Sequence, residues 1–273
     1  MTNRDTLIVT LSDLHTGSTQ ALCPDRFMEF AQQGNNHTPN SKQVKIYEHF
    51  QYCAGEVSKA RKDKRLVIVV NGDAVEGHHH NASQLIPCNE KEQADLHIEL
   101  MGLFKKWTDY HRGDLLYYTI GTEVHSKDYE HYIGEKLIAE QDTAGLYAFN
   151  DLKIDINGKR LWWTHHGPQP GKGHNKGNGL RNWLKVQFYE AVNEGKLPPH
   201  MMITAHVHNP WWDTFTGRYK GKYFPIRGLI CPSWQQKTRY ANGRIPFVLN
   251  KVGLQFFTVS GDGQIHDPVE LIM

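Results

Sequence analysis

A chain of 273 residues and 31.4 kDa, 39% hydrophobic and 22% charged, can close a sizeable core without staples, which excludes a disordered or fibrous polymer. A net charge of +2 does not argue for binding nucleic acid by bulk electrostatics, nor against a local basic groove. Cys23, Cys53, Cys88 and Cys231 form no CxxC pair, no leader-like start is seen and no apolar run could span a bilayer, so a cytoplasmic protein away from membranes is expected.

In chain order, residues 7–11 read as a strand buried on both faces, and the polar, aperiodic stretch 23–43 as a helical turn and a long loop. A helix over 44–65 ends in the charged run SKARKDKR, and LVIVV (66–70) is a second strand running into NGD. The helix at 89–111 places Leu96, Leu100, Leu103 and Trp107 on one face. A third strand (115–120) runs into GTE, and a helix follows at 128–140. Residues 151–165 form a hairpin turned by Asn157-Gly158, whose two central positions need positive φ. A glycine-rich basic loop (about 167–179), a helix (180–194) and a strand (201–205) running into HVH come next. An antiparallel elaboration covers about 211–273, with turns near Gly217, Ala241-Asn242-Gly243 and Gly261-Asp262-Gly263. Strand–helix units followed by hairpins predict one layered α/β domain over 1–273.

The strand ends carry the chemistry. Asp13 and His15, then Asp73, then Glu123 and His125, then His165 and His166, then His206 and His208 stand at five of them. In open α/β sheets, ligands bind beyond the carboxyl ends of the strands. Residues i and i+2 leaving a strand point to one side, so Asp13 with His15, and His206 with His208, can each share an ion. A lone D-x-H or H-x-H is weak; their succession at strand ends carries the expectation of a metal site. These donors suit Mn2+ first, with Fe2+, Ni2+ or Zn2+ as alternatives.

The set DLH, NGD, THHG and AHVH resembles the calcineurin-like metallophosphoesterase superfamily over about residues 7–210. The resemblance implies a four-layer αββα double β-sandwich and a centre with two divalent ions. Asp13, His15, Asp73 and His208 would hold the first ion, and Asp73 would bridge. His206, one of His165 and His166, and a ligand from the third strand would hold the second, and TRYANGRIP with the final strands would complete the second sheet. The family's third motif has an asparagine that GTEVHS lacks. Glu123 is the expected substitute, Thr122 an alternative, and His125 the partner histidine. His165 preserves the strand length and His166 the His-Gly pair; His165 is favoured. GTEVH, the His-Gly loop and CPSWQQKTRYA also resemble phosphoesterases of bacteriophages and prophages, which implies a bacterial or host cytoplasm.

The expected reaction is hydrolysis of a phosphate ester, foremost a phosphodiester such as DNA or RNA. It proceeds by in-line attack of a metal-activated hydroxide, with Asp73 as shared ligand and His125 as acid to the leaving oxygen. Candidate substrate contacts are His79 and His80 in EGHHHN, Lys172 and Lys176 in the basic loop, and Trp211 and Arg218 in WWDTFTGRYKGKY. Glu76 is a further candidate beside them. Alternatives are a phosphomonoesterase or nucleotide hydrolase of the same fold, and a binding protein with a degenerate site. A homo-oligomer is left open, with Trp162-Trp163 or VELIM as faces that a partner subunit or the fold itself would cover.

Overall fold

The computed structural model describes residues 4–31, 35–78, 84–126, 129–171, 173–238 and 251–273. In chain order its elements are β1 (Thr6–Leu11), β2 (Met28–Glu29), β3 (Asn36–His37), α1 (Ser41–Arg61), β4 (Arg65–Asn71), α2 (Glu90–Trp107) and β5 (Leu115–Thr119). Then come the single turn α3 (Glu123–Ser126), α4 (Tyr129–Leu137), β6 (Asp151–Ile156), β7 (Lys159–Thr164) and α5 (Asn178–Asn193). The chain continues through β8 (Met201–Thr204), β9 (Trp211–Tyr219), β10 (Lys222–Ile230), β11 (Gly253–Val259) and β12 (Val269–Ile272).

β1 and β4 read as unbroken apolar runs because their two faces feed different cores. Leu7, Val9 and Leu11, with Leu66, Ile68 and Val70, pack toward Ile46 and Phe50 of α1, Leu100 and Phe104 of α2, and Ile133 of α4. Ile8, Val67 and Val69 point the other way, onto Leu161, Trp163, Ile203 and Leu229. The first sheet has the order β12-β11-β1-β4-β5 and the second β6-β7-β8-β10-β9. Behind the second sheet, Leu180, Leu184 and Phe188 of α5 cover Met202, Ile226 and Ile230. The layers are therefore α1/α2/α4, sheet, sheet, α5: the expected αββα arrangement. No described helix is long and apolar enough to cross a membrane.

The structure corrects several expectations. Residues 28–29 and 36–37 pair as a short ladder where a helical turn was expected, and no helical turn is found among the described residues of 23–40. α1 begins at Ser41 because Asn40 caps it: its side chain accepts from Gln43 N while Gln43 Oε1 accepts from Asn40 N. The final strands join the first sheet, β11 running antiparallel to β1 with Leu7 opposite Thr258. Their alternation explains the choice. Leu254 and Phe256 fill the helix-side core and Phe257 and Val259 the core between the sheets, a split that a strand flanking β1 satisfies.

Gly217 lies inside β9, not in a turn; a Cβ there would come within 2.3 Å of the Phe188 ring, so the glycine admits α5. The reversal comes at Lys220-Gly221, with φ of 48° and 79°. Asn157-Gly158 turns the earlier hairpin as expected, with φ of 49° and 75°. The Gly261–Gly263 turn is also present, closed by Ser260 N donating to Gln264 O at 2.9 Å. The expected turn at Ala241-Asn242-Gly243 lies outside the described residues. Trp163 is buried between the sheets and donates from Nε1 to Thr10 Oγ1 at 3.1 Å. Trp162 packs against the α5-side core, so the tryptophan pair is accounted for inside the fold.

Candidate metal centre

β1, β4 and β5 are parallel neighbours, as are β7 and β8, so their carboxyl ends meet at one rim. Asp13, Asp73, His125, His165, His206 and His208 leave those ends and come together there. The chain turns sharply to aim them. Asp13, His15, Asp73, His206 and His208 all adopt left-handed φ, between 45° and 67°. They are five of the ten non-glycine residues with positive φ among those described. Such conformations cost roughly 1–3 kcal/mol each and persist where the surroundings impose them, commonly at functional sites.

The donors fall into overlapping groups whose ligand atoms lie within 4.8 Å of one another. One is Asp13, His15 and His208; a second is Asp13, Asp73 and His165; a third is His165, His166 and His206; a fourth is His15, Asp73 and His125. Asp13 Oδ1 lies 3.1 Å from His208 Nε2 and 4.0 Å from the Nε2 atoms of His15 and His165. Asp73 Oδ2 is 3.1 Å from His165 Nε2, 3.8 Å from His15 Nε2 and 4.0 Å from His206 Nδ1. Asp73 thus stands between the two sets.

A second layer orients the rings. His165 Nδ1 donates to Asn71 O at 2.8 Å, which turns Nε2 toward Asp73. His125 Nδ1 donates to Glu76 O at 2.8 Å. Glu76 Oε2 is 2.9 Å from His15 Nδ1 and accepts from Gln235 Nε2 at 2.7 Å. A carboxylate or carbonyl behind an imidazole is the usual support of a metal-binding histidine.

The charges fit a cation. Burial opposes charge on each group, yet Asp13 is held down to about 2 by His208 and His165. Asp73 is held well below the ordinary carboxylate range, burial being outweighed chiefly by His165. Against burial, Glu76, Asp73 and Asp13 lift His15 to about 9, and Asp73 and Asp13 lift His165 to about 9. The two carboxylates and the imidazoles around them thus hold one another toward their charged forms, and a divalent cation is a charge such carboxylates would accept in their place. The Nε2 atoms of His15 and His165 are buried without an aligned hydrogen-bond partner, although His165 Nε2 is close to Asp73. Orphaned ring nitrogens beside ionised carboxylates fit metal ligands better than a closed hydrogen-bond network.

Other expected site residues are placed differently. Glu123 is exposed and joins none of the donor groups among the described residues, because α3 begins there and carries the side chain outward. Thr122 takes the inward position instead. Its N–H donates to Asp73 Oδ1 at 2.6 Å, and its hydroxyl lies 3.3 Å from both Asp73 Oδ2 and His206 Nδ1. His165 is buried on Asp73, while His166 is exposed beside it.

Trp211 is partly buried against the core under α5, with Lys176 Nζ 4.4 Å from its ring centroid, whereas Trp212 is exposed. Arg218 sits seven residues along β9 from Trp211, roughly 23 Å away at strand spacing, out of reach of a phosphate at the metal centre. His79, His80 and Lys172 lie outside the described residues. Gln235 was not singled out from the sequence; it is 159 residues from Glu76, and no local pattern announces the contact.

His97 on α2 supports the rim from below: Nδ1 donates to Ala74 O at 3.0 Å and Nε2 meets the Tyr118 hydroxyl at 3.1 Å. Burial pushes its pKa from 6.5 down to about 4. The folded chain keeps it neutral, whereas the unfolded chain takes up a proton as the pH falls below 6.5. Its contribution is thus fully present above that pH and is lost as the pH falls toward 4, about 3 kcal/mol in all. Urea unfolding at about pH 7 and about pH 4.5 should show a smaller acid-induced loss in His97→Gln than in the wild type.

No family model matches the chain, and no curated protein matches it. Among solved structures it is similar to a conserved protein of Streptococcus pneumoniae described as a predicted phosphoesterase, at 12% identity and TM-score 0.33 over 98% of both chains. It is similar to an archaeal phosphodiesterase at 9% identity and TM-score 0.38, over 97% of this chain and 99% of the other. A phosphatase of Mycoplasma pneumoniae is similar at 11% identity and TM-score 0.39, over 100% of this chain and 94% of the other. Likeness this distant leaves the chemistry to be argued from the side chains themselves.

Proposed function

We propose that the chain is a metal-dependent phosphoesterase that holds two divalent ions and hydrolyses phosphodiesters, with DNA or RNA the favoured class. One observation carries the reading: Asp73, buried and ionised, stands between two donor sets that share it. Two ions bound there would activate a water and neutralise charge building on the phosphate oxygens. The chain's own residues do the rest. Asp13, His15 and His208 would hold one ion and His165 and His206 the other, with Asp73 within reach of both sets. Glu76 and the Asn71 carbonyl fix which ring nitrogens face inward.

His125 is the proton donor to the leaving oxygen. Its Nδ1 donates to Glu76 O, so Nε2 would be the atom that passes the proton to the leaving oxygen. Burial, and then His15, push its pKa down to about 4. An anionic phosphate beside the ring favours the imidazolium and raises that value. His125→Ala should lose about 10²–10⁴-fold in turnover of a diester with a poor leaving group while binding both ions normally. Steady-state rates and metal content of the purified variant check this; loss of an ion would make His125 a ligand.

The nucleic-acid part is supported by the β9–β10 hairpin, which starts three residues after His208. Trp212, 45% exposed, and Tyr223, 74% exposed, share the hairpin face turned away from α5, the face that carries Leu229, and the Arg218 guanidinium stands 5.1 Å from the Tyr223 ring centroid. Aromatic and cationic groups spread over such a length suit a polymer strand better than a small ester. The test is hydrolysis of bis-p-nitrophenyl phosphate, p-nitrophenyl phosphate, single-stranded DNA and RNA with added Mn2+ and the three alternative ions. Expected is cleavage of the diester at least about tenfold faster than the monoester, with nucleic acid cut and chelator abolishing both. Preference for the monoester would make this a phosphomonoesterase, and inactivity on all four substrates would make it a binding protein.

A further inference from the structure

The two halves of the centre are unequal. One combines Asp13 and the shared Asp73 with His15 and His208; the other combines the shared Asp73 with His165, His206 and the Thr122 hydroxyl. A neutral hydroxyl is a weak donor for a divalent ion, and no side-chain amide stands at that position. A third imidazole is within reach. The ring nitrogens of His165, His166 and His206 lie within 4.8 Å of one another. The ring centroids are 5.0 Å apart for His165 and His166, 4.8 Å for His166 and His206, and 5.3 Å for His165 and His206.

β7 ends at Thr164, so strand alternation no longer forces the two consecutive histidines onto opposite faces. We propose that His166 is a further ligand of the ion held by His165 and His206, and that this position prefers a late divalent transition ion, Zn2+ or Ni2+, to Mn2+. The inference rests on the two-ion reading above. It assigns both histidines of the pair to one ion instead of choosing between them.

The preference follows from the donors. Three imidazoles and one shared carboxylate suit Zn2+ and Ni2+, whereas a set with two carboxylates suits the harder Mn2+ better. The margin by which Zn2+ outbinds Mn2+ should therefore be larger at this position than at the one that holds two carboxylates. His166 is exposed, and its removal leaves the buried core untouched.

The experiment is equilibrium competition against a chromophoric chelator, with Zn2+ and with Mn2+, on metal-free wild type, His166→Ala and Asp73→Asn. The wild type should bind two Zn2+, and His166→Ala should lose about 10–100-fold in Zn2+ affinity at one position and little at the other. Free imidazole should restore part of that loss, which it would not do for a histidine acting only through packing. Unchanged Zn2+ affinity in His166→Ala, with normal uptake by the wild type, overturns the proposal alone. A wild type that takes up neither ion, or an Asp73→Asn chain that binds both as the wild type does, overturns the two-ion reading and this proposal with it.

Discussion

Asp73→Asn should cost about 10³-fold or more in diester turnover and leave the fold standing. Asparagine keeps the size of the side chain and an oxygen that can accept from Thr122 N, the 2.6 Å bond that holds Asp73 in place. What it removes is the charge on the atom that both donor sets share. Asp13→Asn, by contrast, should weaken one ion position and spare the other, because Asp13 joins His15 and His208 but not the His165–His166–His206 group. Glu123→Gln should change neither, since that side chain stands outside the cluster.

Thermal unfolding gives a readout independent of turnover. An ion at about 100 times its dissociation constant stabilises the wild type by about 2.7 kcal/mol. In a domain of this size that is a rise in Tm of roughly 5–10 °C. The rise should vanish in Asp73→Asn, shrink in Asp13→Asn and persist in Glu123→Gln. Asp73→Asn with the full rise and full activity would remove Asp73 from the centre.

The residues that were legible in the sequence share a property: their signal is local. β1 and β4 show as apolar runs because neighbouring residues enter two cores, and the Asp13/His15 and His206/His208 pairs show because an i, i+2 spacing at a strand end is itself a geometry. Asn157-Gly158 is legible for the same reason. Thr122 and Glu123 were harder because the backbone changes period between them. Glu123 opens the helical turn α3, and β5, whose alternation would bring it inward, has already ended at Thr119. β11 pairs with β1 from the opposite end of the chain, and Gln235 reaches Glu76 across the fold. Nothing in either segment encodes its partner, since both contacts exist only once the sheets have closed. The left-handed φ values at five donors are likewise not announced by the sequence, since Asp and His adopt them more readily than most side chains but still only in a minority of places. The sequence names the donors, and folding decides which way each one faces.

Gly121→Ala tests that last point at the position where space is shortest. A methyl group on Gly121 would lie 2.2 Å from Asp73 N and 2.3 Å from Asp73 Oδ1. Neither atom can give way cheaply. The first is backbone at a residue already held at φ 49°, and the second accepts the Thr122 hydrogen bond. Relief requires the strand ends of β4 and β5 to separate by several tenths of an ångström or more, which moves Asp73 relative to His165 and His206. A displacement near 1 Å in a catalytic constellation costs about 10²-fold in rate, so turnover should fall by about that factor or more. Overpacking should also lower stability by about 1–3 kcal/mol. Gly102→Ala in α2 is the matched control. A Cβ there meets nothing within 4 Å, and alanine in a helix interior should stabilise the chain by roughly 0.5–1 kcal/mol with activity unchanged. Diester turnover, ion affinity and urea midpoints of the two variants, measured side by side, separate a loss at the centre from a general response to the added methyl. Equal behaviour of the two would mean that the contact between Gly121 and Asp73 does not position the shared carboxylate.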